Sequence, residues 1–114
     1  MALVTLDLAI GHCRANPGDE DELIRLYLDG AEQSALDYLN RKVFVDQAAM
    51  DAAVAAGTAG DHPMVVNSAI KVAILKTTAE VYANREDSIV GATVVELPVS
   101  AKAFLRPHRI VPGV

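Results

Sequence analysis

One segment stays apolar around too much of its circumference to lie on a surface, and it sets the terms for everything else in this chain. The sequence from about 64 to 86 reads as one long helix, in which Ile70, Ala73, Ile74, Thr77 and Val81 form one stripe. Leu75, Ala79 and Tyr82 form a second stripe beside it. A helix that must be covered on two sides is either the centre of a bundle or shared with a neighbouring subunit. Pro63, just ahead of it, suits the first turn.

The remaining pattern supplies the elements to cover it. Thr5 is a good N-cap, Asp7 suits the first turn, and Leu6, Ala9, Ile10 and Cys13 recur at helical spacing, so a short helix is expected over about 5 to 14. Asn16-Pro17-Gly18 is a turn. Asp19-Glu20-Asp21-Glu22 then places four carboxylates at the positive end of a second helix, expected over about 20 to 40. Ile24, Leu28, Ala31, Ala35, Tyr38 and Leu39 form its inner face. Leu26 projects on the other side, with Glu22, Asp29, Gln33 and Asp37.

Asp46 and Gly57 bracket an alanine-rich segment that reads as a third helix over about 47 to 56. Its alanines bury little area each, so its docking is expected to be weak. From Ser88 to Leu97 the β-branched residues Ile89, Val90, Thr93, Val94 and Val95 indicate an extended arm, interrupted by Gly91. A lone strand leaves backbone groups unpaired, so the arm is expected to pack against, or pair with, an adjacent subunit. Leu97-Pro98 opens a last short helix over about 99 to 105, and the basic tail Arg106-Pro107-His108-Arg109 closes it.

The expected fold class is therefore all-α: a small bundle of four to five helices with an extended arm before a short C-terminal helix. A chain of 114 residues is expected to be a single domain over 1–114, with the alanine-rich insertion at about 46–57 and the basic tail at 106–114. Hydrophobic residues make up 52% of the chain but aromatic ones only 4%, and there is no Trp, so the core must be aliphatic and offers few anchors for a ligand pocket. A mean hydropathy of +0.25 at net charge −5 is high for a monomer of this size, and self-association is the expectation. The single cysteine, Cys13, excludes an intrachain disulfide and fits a reducing compartment. Met1 to Leu8 lacks the pattern of a secretory leader. No run approaches the ~18 apolar residues of a membrane span. A soluble protein of the cytoplasm, without membrane contact, is expected.

Catalytic and cofactor motifs find no support. His12, His62 and His108 are dispersed and match no metal spacing. His12 and Cys13 are neighbours on a helix, about 100° apart, and so cannot act on each other. Cys13 reads as a structural residue. No nucleophile elbow or glycine-rich phosphate loop is present. The expectation is no enzyme, no catalytic residue, no metal and no cofactor. Fifteen acidic residues outnumber ten Lys and Arg, so a strong nucleic-acid face is not expected either. Lys71, Lys76 and Arg85 are too sparse to form one.

An ordered set of short motifs nevertheless resembles the head-tail connector (adaptor) family of tailed bacteriophages. The residues that carry it are Thr5-Leu6-Asp7 with His12 and Arg14, Asp19 to Asp21 before Leu23-Ile24, Tyr38-Leu39-Asn40-Arg41, Ile70-Lys71 with Ala73-Ile74-Leu75, Tyr82 with Asn84-Arg85-Glu86, Leu97-Pro98, and Leu105 with Pro107 and Arg109. They cover nearly the whole chain in the family's order. Leu8, Ile10, Cys13 and His108 depart from the family's usual residues, and the alanine-rich helix occurs in only part of it.

The resemblance implies a structural virion protein, made in the host cytoplasm, that forms a ring between portal and tail, extends the DNA channel and joins head to tail. Its partners are then about twelve copies of itself, the portal, and a tail-proximal connector or tail-completion protein, with DNA passing through without sequence-specific binding. The alternative is a nucleic-acid-binding packaging factor of the small-terminase type, which salt-dependent DNA binding distinguishes. An enzyme using Cys13 is a third reading and requires a depressed thiol pKa. Candidate oligomer or portal contacts are the acidic Asp19, Glu20, Asp21 and Glu22, the exposed Leu26, Val94 and Val95 in the arm, and Arg106, His108 and Arg109 in the tail. Opposite charges on the two patches are expected to steer subunits into register.

Overall fold

The structure is a computed structural model that describes residues 3–84 and 97–111. The expected arm, with Val94 and Val95, lies outside the described residues except for Leu97, as do the last three residues of the tail. Among the described residues there are five α-helices: α1 (Leu6–His12), α2 (Asp21–Leu39), α3 (Gln47–Ala56), α4 (Ser68–Ala83) and α5 (Val99–Leu105), the last running into a 3₁₀ turn at Arg106–His108. The fold is mainly helical, as the periodicity indicates.

Local chemistry sets the helix boundaries. The Thr5 hydroxyl accepts from the Leu8 N–H at 3.3 Å, and the Asp46 carboxylate accepts from the Ala49 N–H at 2.8 Å, so both expected N-caps form. At the far end of α1, Arg14 N–H donates to the Gly11 carbonyl and Ala15 N–H to that of Ile10, which is a Schellman closure. Arg14 sits there at φ 57°, the left-handed region usually given to glycine. The same closure ends α3, but with Gly57 at φ 75°. Asn40 ends α2 at φ 56°.

The start of α4 differs from the expectation of a helix beginning near 64. Met64–Val65 is instead a short strand, β2, paired in parallel with β1 (Val43–Phe44). Main-chain bonds run from Met64 N–H to the Lys42 carbonyl and from Val66 N–H to that of Phe44. The physical reason is a stronger stop and start downstream of Pro63. Asn67 is extended, at φ −121° and ψ 175°, and its side chain accepts from the Ile70 N–H at 2.9 Å, so the N-cap falls four residues beyond Pro63. The β-branched Val65 and Val66 then favour pairing over a helical turn. Pro63 therefore precedes a strand rather than opening a helix. At its other end α4 stops at Ala83, with the Asn84 side chain donating to the Glu80 carbonyl at 2.9 Å.

β1, α3 and β2 form a small βαβ unit, with α3 contacting both strands. Val43, Val45, Met64 and Val66 pack against the main core, and the alternation of a strand turns Phe44 and Val65 toward α3. No residue of α3 is buried.

Helix α4 is the centre of the bundle and contacts α1, α2 and α5. Ile70, Ala73, Ile74, Thr77 and Thr78 are buried along it, facing Ile24, Leu28, Ala31, Ala35 and Leu39 of α2, Ala9 and Ile10 of α1, and Ala101 and Leu105 of α5. Covering α4 on two sides requires its two buried threonines to be satisfied internally. Their hydroxyls donate to the Ala73 and Ile74 carbonyls, each at 2.8 Å.

Candidate assembly interface

The C-terminal tail is stitched onto the end of α2. Helix ends leave carbonyls without intrahelical partners, and here the tail supplies them. Ile110 N–H donates to the Leu39 carbonyl at 2.9 Å, and Arg109 Nε donates to that of Tyr38 at 2.8 Å. The Arg109 guanidinium also stacks over the Tyr38 ring, 4.7 Å from its centroid. Asn40 Nδ2 donates to the Ile110 carbonyl at 3.2 Å. Arg41 reaches two segments at once: its Nε donates to the His62 carbonyl at 2.7 Å and its Nη1 to the His108 carbonyl at 3.2 Å. His108 Nε2 lies 3.2 Å from Asn67 Nδ2. Tyr38-Leu39-Asn40-Arg41 and Pro107 to Arg109, two separated motifs in the sequence, thus meet in space.

This divides the three basic-tail residues. Arg109 and His108 hold the chain to itself, whereas Arg106 is exposed and its side chain bonds to no other described residue. The acidic run divides too. The Asp21 carboxylate accepts from the Gly18 N–H at 2.8 Å and closes the turn before α2. Glu20 accepts from the Tyr82 hydroxyl at 2.8 Å, tying the start of α2 to the end of α4. Asp19 and Glu22 are exposed. Leu26 is 60% exposed, on the face opposite Ile24 and Leu28.

Sequence reasoning missed the outer face of α5. Ala101 and Leu105 are buried, so Val99, Lys102 and, in the 3₁₀ turn beyond, Arg106 share a side turned away from the core, with Val99 and Arg106 exposed and Lys102 half-buried. Val99 is 82% exposed and Phe104 40%. The signal was present in the spacing of Ala101 and Leu105, but a seven-residue helix gives too few periods to assign an inner face beforehand.

Burial raises the Cys13 pKa above the ordinary thiol range, which opposes thiolate formation. Among the described residues, no group of three or more His, Cys, Asp and Glu is placed to hold a metal. Of two open grooves, one lies beside Asn40, Arg41, Phe44 and Ile110. The other lies over the start of α2 and Leu26. No helix among the described residues is long and apolar enough to cross a membrane.

Fold and surface together define a class: a small helical domain that keeps its outward chemistry in exposed apolar and charged side chains. Comparison with protein-family models places residues 4–109 within the phage gp6-like head-tail connector proteins. The chain belongs to that family, and its role is structural, in joining phage head to tail. Neither the curated proteins nor the solved structures include a significant match.

Proposed function

We propose that this chain is the subunit of a ring seated between the portal and the tail, where it extends the DNA channel and gives the next tail protein a platform. The observation that carries this reading is the family match, which runs from Val4 to Arg109 and so takes in every described helix. The exposed Leu8, Leu26, Val54, Val99 and Phe104 support it, because side chains of that size on a small domain are material for subunit contacts. Of the acidic run and the basic tail, Asp19, Glu22 and Arg106 are the exposed charges left to portal or neighbour, and a net charge of −5 suits a channel wall that must release DNA. His108 and Arg109 act indirectly, by holding the tail that presents Arg106.

The test is genetic and structural. When the gene is silenced in the phage that encodes it, we expect capsids that have expanded and cleaved their genome but carry no tail, alongside free finished tails. Chain supplied in trans then restores joined particles and appears at the junction by electron cryomicroscopy. Unexpanded, empty proheads in the silenced phage, together with salt-dependent DNA binding by the purified chain, assign it to packaging instead.

A further inference from the structure

Two outward helical stripes match each other in length and oppose each other in charge. On α2, Glu22, Leu26 and Asp29 lie at spacings of four and three residues, directly opposite the buried Ile24 and Leu28. Along α5 and into the 3₁₀ turn that follows it, Val99, Lys102 and Arg106 lie at spacings of three and four, off the face of the buried Ala101 and Leu105, with Val99 and Arg106 exposed and Lys102 half-buried. Each stripe runs from i to i+7, about 10.5 Å along its axis. Each carries one large exposed apolar side chain and two charges of a single sign. Arg25, also exposed, flanks the α2 stripe without entering it. None of the four charged side chains in the stripes bonds to another described residue.

We propose that these stripes are the two halves of one subunit contact: the outer face of α2 in one copy docks on the outer face of α5 in the next. This rests on the ring reading and gives it a polarity. The acidic stripe cannot meet itself without placing Glu22 and Asp29 against like charges, so a two-fold pairing of α2 with α2 is disfavoured. A contact between two different faces is heterologous and repeats from copy to copy, closing into a ring where the rotation allows. Leu26 packs against Val99, one carboxylate beside it meets Lys102, and Arg106 lies one turn further along.

The test uses purified full-length chain carrying Cys13→Ser, so that the introduced thiols are the only ones. One batch also carries Leu26→Cys and the other Val99→Cys. Mixed in equal amounts at high concentration and oxidised, they should give the 26–99 heterodimer in at least about tenfold excess over either homodimer, because the two faces attract and each face repels itself. All three dimers in statistical proportion, or a dominant 26–26 dimer, overturns the proposal. The second arm is charge reversal in the silenced phage. Glu22→Lys with Asp29→Lys, and separately Lys102→Glu with Arg106→Glu, should each lower the yield of tailed particles by about tenfold or more, and the four together should restore it. Circular dichroism confirms that each variant keeps its helices. A four-fold variant no better than the pairs overturns the proposal. If heads join tails without this chain, the ring reading fails, and the cysteine arm still decides whether the two faces meet.

Discussion

Arg14 and Arg109 each do something that their place in the sequence does not announce. Arg14 occupies the left-handed closing position of α1, where a side chain costs roughly 1–2 kcal/mol relative to glycine. Arg14→Gly should therefore stabilise the isolated chain by about 1 kcal/mol, after the greater chain entropy of glycine is counted. Chemical denaturation measures it, and an unchanged midpoint removes the strain argument. Arg109 reads as an assembly charge in the sequence because its partners, Tyr38 and the Tyr38 carbonyl, lie 71 residues away. Arg109→Ala loses a partly exposed stack and a charged hydrogen bond, and should cost about 1–2 kcal/mol of fold stability. Cys13 gives the pH-dependent counterpart. Its folded pKa is raised by burial, so the native state holds the thiol proton more tightly than the unfolded chain does. That contribution is complete below the unfolded thiol pKa and disappears as pH rises through the folded one. Iodoacetamide should accordingly label native Cys13 more slowly than a free thiol near pH 8, and Cys13→Ala should flatten the alkaline fall in stability.

Among the elements, those with several turns of their own periodicity were legible, and those made by distant pairing were not. The inner face of α2 and the doubly covered α4 follow from spacing alone, because burial repeats every three or four residues over sixteen residues or more. β1 and β2 have two residues each and pair across the whole of α3, so nothing local marks them beyond Val43-Phe44-Val45 and Met64-Val65-Val66. The same distance hid the junction of tail and α2. The capped, alanine-rich pattern of α3 marks it as a helix, and its lack of any buried residue gives its weak docking a measurable form. Amide hydrogen exchange over 47–56 should be faster than in α2 or α4 by about two orders of magnitude, since few apolar contacts oppose its opening. Equal protection in all three would mean that the βαβ unit opens only with the whole domain. A core truncation provides the scale: Ile74→Ala, at the centre of α4, should cost about 2–5 kcal/mol.

For the whole molecule, the balance lies between a net charge that repels copies and two local stripes that attract them. Every copy carries −5, and at a distance identical copies repel. Near contact the pattern matters more than the sum, because a Debye length of about 10 Å at 0.1 M salt is comparable to the length of one stripe. Exposed ion pairs contribute only about 0–1 kcal/mol each, so the charges act on encounter and register, while Leu26, Val99 and the other exposed apolar residues supply the lasting contact. Salt should then slow the association of the native chain by screening α2 against α5. In the Lys102→Glu, Arg106→Glu variant both the net charge and the local contact are repulsive, so salt should accelerate association instead. Cross-linking rates across a salt series measure both chains in one format. Opposite slopes place the steering in the two stripes; slopes of the same sign in both chains assign it to net charge and separate charge from the choice of neighbour.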